Sequence, residues 1–136
     1  MVVIMMIGIV AGISAPQIVK WKTNYAVRKN ANDTLSALKY ARAHAINIGF
    51  PIIFTLSDAG FTLVVDTNSD SVIDASDTVL QNGAYNHTVT IKNNTIGAEV
   101  SFNRRGIPSK AGAFMLDNGY TYKTITLYAT GGSRIN

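Results

Sequence analysis

The chain has 136 residues, enough for one small domain and an accessory element, and 47% of them are hydrophobic while only 15% are charged. A soluble domain usually carries about 25% charged residues, so Ser, Thr and Asn must supply much of the polar surface. No cysteine is present, which excludes a disulfide framework, a thiolate metal site and a cysteine nucleophile.

The net charge of +4 is unevenly placed. Residues 20–42 hold Lys20, Lys22, Arg28, Lys29, Lys39 and Arg42 against the single acid Asp33. Such a balance suits nucleic acid or anionic lipid, and equally suits acidic neighbours in an assembly.

Residues 1–16 read MVVIMMIGIVAGISAP, and no charge interrupts them. A core of this size cannot hide the run, so a bilayer or a partner is expected to cover it. Spanning takes about 20 apolar residues, which makes the run short on its own. The basic cluster that follows also reverses the charge asymmetry expected of a cytoplasm-first span. Both features lead to the expectation that the native N-terminus lies upstream of Met1. Gly8 and Gly12 form G-x-x-x-G, which either permits close helix contact or reflects the loose composition of an apolar helix. Gly8, Gly12, Ser14 and Pro16 are weak helix formers.

Residues 17–48 are expected to continue as one amphipathic helix. Ile18, Trp21 and Tyr25 share a face; after a polar interval, Ala31, Leu35, Leu38, Ala41, Ala45 and Ile48 form an apolar stripe. Gly49 and Pro51 are stop signals. A helix from Met1 to Ile48 would be about 70 Å long at 1.5 Å per residue. The chain thus divides into 1–16, the membrane or filament-core half of the helix; 17–48, its amphipathic half; and 49–136, a β-rich head.

In the head, Pro51–Leu56 and Phe61–Val65 flank Ser57-Asp58-Ala59-Gly60 as a hairpin. Further strands are expected at Thr88–Lys92, Glu99–Asn103, Ala113–Leu116 and Thr124–Ala129. The fold class is α+β, a long N-terminal helix packed on a small antiparallel β-sheet.

The segment DTNSDSVIDASD (Asp66–Asp77) has the oxygen spacing of a calcium loop. Asp66, Asn68, Asp70, Asp74 and Asp77 occupy positions 1, 3, 5, 9 and 12, and Val72 could offer its carbonyl at position 7. Ser71 replaces the glycine usual at position 6, and Asp77 is shorter than the usual glutamate. The alternative is a solvated turn whose carboxylates bond local backbone N–H groups. Calcium is the one cofactor expected.

No phosphate-binding loop, nucleophile elbow or zinc-protease pattern occurs. His44 falls within the helix and His87 begins a strand, with no cysteine partner or evident Ser–Asp pairing. No catalytic residues are expected.

The N-terminal run resembles the type IV pilin and pseudopilin N-terminus. LSALKYARAHAINIGFPIIFTL (Leu35–Leu56), VVDTNSDSVIDASDTVL (Val64–Leu80), SFNRRGIPSKAG (Ser101–Gly112) and the terminal ITLYATGGSRI are similar to the general secretion pathway H/FimT family. The resemblance covers nearly the whole chain. It implies a non-enzymatic minor subunit of a type II secretion pseudopilus or type IV pilus. Other subunits, the inner membrane and a separate assembly machinery would be its partners, with the head in the periplasm. The family's basic leader, cleavage-site glycine, phenylalanine and glutamate are expected in the upstream segment. DNA-binding members carry a Gly-Arg-x-Arg signature near the C-terminus, of which Gly131-Gly132-Ser133-Arg134 keeps one arginine. A DNA-uptake role would rest on Arg104, Arg105, Lys110, Lys123 and Arg134; the alternative for these five is ordinary solvated charge.

Overall fold

The computed structural model describes the backbone of residues 2–136 and the side chains of residue 18 and residues 20–136. The packing expected at Gly8, Gly12 and Pro16 lies outside the described residues. One helix, α1 (Val2–Ile48), precedes eight strands. It ends where Gly49 takes a φ of +71° and returns its N–H to the Ala45 carbonyl at 3.1 Å. After that last i→i−4 bond the left-handed glycine turns the chain out of helical geometry, and Pro51 has no N–H with which to extend the ladder.

The head covers only the C-terminal half of α1. Ala26, Val27, Asn30, Ala31, Thr34, Ala37, Leu38, Ala41 and Ala45 are buried, recurring at helical spacing. Five of them are alanines, so the sheets come close to the helix backbone. The stripe read from sequence holds at Ala31, Leu38, Ala41 and Ala45, whereas Leu35 and Ile48 are half-buried. The polar interval before Ala31 is itself buried at Asn30, and Thr34, within the stripe, is buried too.

Two antiparallel sheets, rather than one, pack on this face. The first has the order β3 (Thr78–Ala84), β2 (Gly60–Val65), β1 (Ile52–Ser57), β5 (Glu99–Phe102). The second runs β4 (Thr90–Lys92), β6 (Gly112–Asp117), β7 (Tyr122–Leu127), β8 (Ser133–Ile135). The chain changes sheet at β4 and returns at β5, a crossing that alternation of side chains cannot reveal. The expected hairpin forms, with Ser57 paired to Gly60. Its turn residue Asp58 reaches the other sheet and accepts the Ile91 N–H at 3.3 Å.

Strands β3 and β8 were not expected. β3 reads TVLQNGA, poor in strand-forming residues, and it is mostly exposed. It forms because β2 offers an open edge. Phe61 lies over Gly83 there: a Cβ at Gly83 would stand 2.2 Å from the ring. Phe54 stacks on Phe61 with ring centroids 5.8 Å apart, and Tyr85 meets Phe61 at a tilt, 6.1 Å away. Phe102, Phe114, Leu116, Ile125 and Leu127 carry the core across both sheets. Each such side chain contributes about 1.5–3 kcal/mol by burial, against about 0.5–1.5 kcal/mol for an ordinary hydrogen bond.

Two separated segments meet on α1 at Arg42 and Ile46. Gly106 (φ +71°) and Gly131 (φ +83°) both sit in the left-handed region. A Cβ on Gly106 would stand 2.7 Å from Ile46 Cδ1 and 2.9 Å from Arg42 Cγ. One on Gly131 would stand 2.1 Å from the Gly106 carbonyl oxygen and 3.0 Å from Arg42 Nε. The β5–β6 and β7–β8 connections are therefore pressed onto the helix with no room for a side chain. Gly131→Ala should destabilise the protein by about 2–5 kcal/mol, combining left-handed strain with overpacking. Gly119→Ala is the control: φ is +82°, but nothing lies within 4 Å, so only the strain remains. Denaturant titration of both variants checks this, and equal losses would remove the close-contact account.

A buried hydrogen-bond chain ties β3 to the helix. Thr34 donates to the Asn30 carbonyl at 2.7 Å and so accepts from the Tyr85 hydroxyl at 2.6 Å. Burial pushes the Tyr85 phenol from 10.0 up to about 12, against the Thr34 hydrogen bond, with Asp33 adding to the rise. The folded state thus holds this proton more tightly than the unfolded one. The associated stability is complete below pH 10 and disappears as pH rises through about 12. Tyr85→Phe should flatten that part of the alkaline stability profile and cost about 0.5–1.5 kcal/mol at neutral pH. An unchanged alkaline slope in chemical denaturation would contradict this role.

Candidate functional site: the 66–77 loop and the basic surface

The loop Asp66–Asp77 leaves β2 and returns to β3. Its carboxylates bond the loop's own backbone. Asp66, fully buried, accepts the N–H groups of Asp70 (3.2 Å) and Ser71 (2.9 Å). Asp70 accepts from Val72 at 2.8 Å, and Asp77 accepts from Asp74 and from Thr67, each at 3.1 Å. Asp74 accepts the Ser76 hydroxyl and N–H at 2.6 and 2.8 Å. These Ser76 bonds, hydroxyl first, hold the Asp74 carboxyl below its ordinary range, with a smaller contribution from Asn68 and slight burial opposing.

Two details concern the metal spacing. Ser71, where glycine was the expected residue, does adopt positive φ, at 64°, and Ser69 does the same at 59°. The side chains of Asn68, Asp70 and Asp74 also approach one another: Asn68 Nδ2 lies 2.9 Å from Asp70 Oδ2 and 3.4 Å from Asp74 Oδ2. An amide's oxygen and nitrogen exchange places by a half-turn, so Asn68 can present either atom. Among the described residues, no three His, Cys, Asp or Glu side chains are grouped so as to hold a metal ion.

The five basic residues singled out in the head do not share one place. Arg104 and Arg105 line a cavity of about 330 Å³ with Pro51, Ser69, Asn103 and Ile107. Lys123 lines a different cavity beside Arg28, and the Lys110 amine lies near Gly97. Arg134, on β8, is paired with Thr126. His44 is half-buried at the helix edge with its ring 5.2 Å from Tyr40, and His87 is exposed in a turn. What the sequence reading missed is that Arg28, Asn32, Lys39, Arg42 and Ile46 face the edge of the second sheet. Their spacing of three, four and seven was the available signal.

Where α1 leaves the head, three large apolar side chains stand in solvent: Ile18 (55% exposed), Trp21 (70%) and Tyr25 (60%). The Trp21 and Tyr25 rings stack with centroids 6.2 Å apart. Among the described residues, no helix is long and apolar enough to cross a membrane.

Against known proteins, a family model described as type II transport protein GspH matches residues 30–131, about three quarters of the chain. No curated protein matches significantly. The fold is similar to that of the Pseudomonas aeruginosa type IV minor pilin FimU in two crystal forms. The first gives a TM-score of 0.68 at 16% identity, covering 85% of this chain and 92% of that one. The second gives 0.64 at 15%, covering 80% and 91%. A long helix clasped by a β head is thus the pilin-like arrangement, and with the match over residues 30–131 the chain belongs to the type II transport protein GspH family, as a structural pilin-like subunit.

Proposed function

We propose that the chain is a minor subunit of a type II secretion pseudopilus. The N-terminal half of α1 anchors it in the inner membrane before assembly, and the head faces the periplasm. After assembly the same half packs among the helices of neighbouring subunits. The observation that carries this reading is the exposed stripe Ile18–Trp21–Tyr25 below the last residues the head covers. Residues spaced by three and four share a helix face, and a contiguous apolar face of this kind needs a partner. Neighbouring helices supply one without disturbing the head.

Trp21 is the only tryptophan in the chain, which makes it a reporter of this face. Its emission should be solvent-like in the isolated subunit and shift to the blue when the subunit is mixed with its filament partners. Trp21→Glu should leave the melting of the head unchanged and reduce incorporation into sedimentable filaments. Assembly without a spectral shift would place Trp21 outside the subunit contact and remove this support.

We propose further that the 66–77 loop takes calcium as a structural ion. Asp66, Asn68, Asp70, Asp74, Asp77 and the Val72 carbonyl form an all-oxygen donor set suited to a hard cation. The positive φ of Ser71 and the approach of Asn68, Asp70 and Asp74 support this reading. The loop carboxylates would turn from backbone N–H groups toward the ion, so the expected affinity is weak, about 10⁻⁴ to 10⁻³ M. Millimolar calcium should raise the melting temperature of the full chain by mass action, magnesium should do much less, and Asp70→Ala should abolish the rise. Identical melting in calcium, magnesium and chelator would leave the hydrogen-bonded turn as the whole account.

A further inference from the structure

Two cavities, of about 440 and 270 Å³, lie end to end between α1 and β8. Lys39, Arg42 and Ile46 line the larger from the helix side, opposite Gly132 and Ser133. Arg28, Asn32, Lys123 and Ile135 line the smaller. At 3.6 residues per turn, the helical residues of both fall on one face of α1. Opposite that face runs β8, the last strand of its sheet, with a neighbour on one side only.

The backbone of β8 is turned to suit an added strand. Thr124 and Asn136 exchange both of their backbone hydrogen bonds, at 3.2 and 2.9 Å. Bonded and non-bonded pairs alternate along an antiparallel ladder, so Arg134 is the next residue bonded to β7. Ser133 and Ile135 therefore direct their N–H and C=O groups away from β7, and these are the β8 residues that line the cavities. The Ser133 hydroxyl is also buried there without a hydrogen-bond partner.

The charge on this groove is of one sign. Arg28, Lys39, Arg42 and Lys123 line it. Among the described residues, ion pairs are made by Lys29 with Asp33 and Lys92 with Asp117, and by none of these four. Short edge strands flanked by cations are a known guard against pairing between identical edges. That guard disfavours a second copy of this strand. It explains neither the concave wall that α1 provides nor the unpartnered Ser133 hydroxyl.

We propose that the groove between α1 and the free edge of β8 receives an extended acidic segment of a partner polypeptide. The segment adds to the second sheet as a fifth strand. Ser133 and Ile135 supply the main-chain hydrogen bonds, and Arg28, Lys39 and Lys123 select carboxylates on the side chains facing the helix.

The probe is a short capped peptide of alternating glutamate and valine, added to the full chain in an uncharged detergent at low salt. A lysine–valine peptide of equal length is the control. The acidic peptide should bind, the basic one should not, and amide exchange at Ser133 and Ile135 should slow on binding. The exposed double variant Arg28→Glu with Lys39→Glu should keep the same melting temperature and weaken binding by about tenfold or more. Binding without protection at those two amides, equal binding of the basic peptide, or undiminished affinity in the double variant would overturn the proposal. So would duplex DNA that binds through the same cations while the acidic peptide does not.

Discussion

The head is too small for its helix. α1 has 47 residues, and the buried side chains described along it run only from Ala26 to Ala45. A rod of about 70 Å cannot be wrapped by fewer than 90 further residues, whatever their sequence. Below Ala26 the helix carries Ile18, Trp21 and Tyr25 into solvent, and the apolar run above them in sequence continues the same demand for cover. The molecule is thus a part whose hydrophobic account closes only in company. Its function as a structural subunit follows from that geometry and from the GspH match, and it does not need a catalytic centre.

How the head holds the covered half of the helix is set by side-chain size. Alanine at 26, 31, 37, 41 and 45 lets two sheets rest close to one helix face. The close approach then leaves no space for a Cβ at Gly106 or Gly131, where two chain reversals press against Arg42 and Ile46. Thr34, buried among these alanines, would be a liability without partners. It gives its proton to the Asn30 carbonyl and takes one from Tyr85, so a polar atom inside the interface becomes a tether to β3.

Charge is sorted onto different surfaces. Four of the eight acids collect in the 66–77 loop, where backbone N–H groups and the Ser76 hydroxyl already satisfy them. Several of the cations collect along the α1–β8 groove, where no acid among the described residues pairs with them. In water such exposed charges add little to stability, so their placement bears on what approaches the surface and how fast. A groove with one sign of charge beside an unpaired strand edge is a directional surface, and a subunit in an assembly uses direction to fix its neighbours.

The sequence by itself determined the long helix, its stop at Gly49, the first hairpin and most strands, because each is written in local periodicity or in residues with special backbone freedom. It also located the acidic loop, whose spacing is local. It did not determine that there are two sheets, since β4 and β5 have similar side-chain patterns yet join different partners. Nor did it show β3, whose Gln, Asn and Gly form a strand only because β2 offers an edge, or β8, three residues long. Nor did it show that Thr34 is buried, because polarity signals exposure unless a distant Tyr85 supplies the missing bond. The groove was least legible of all. Its two walls lie about 90 residues apart in the chain, and only the packing of β8 beside α1 brings Lys39 and Arg42 opposite Ser133.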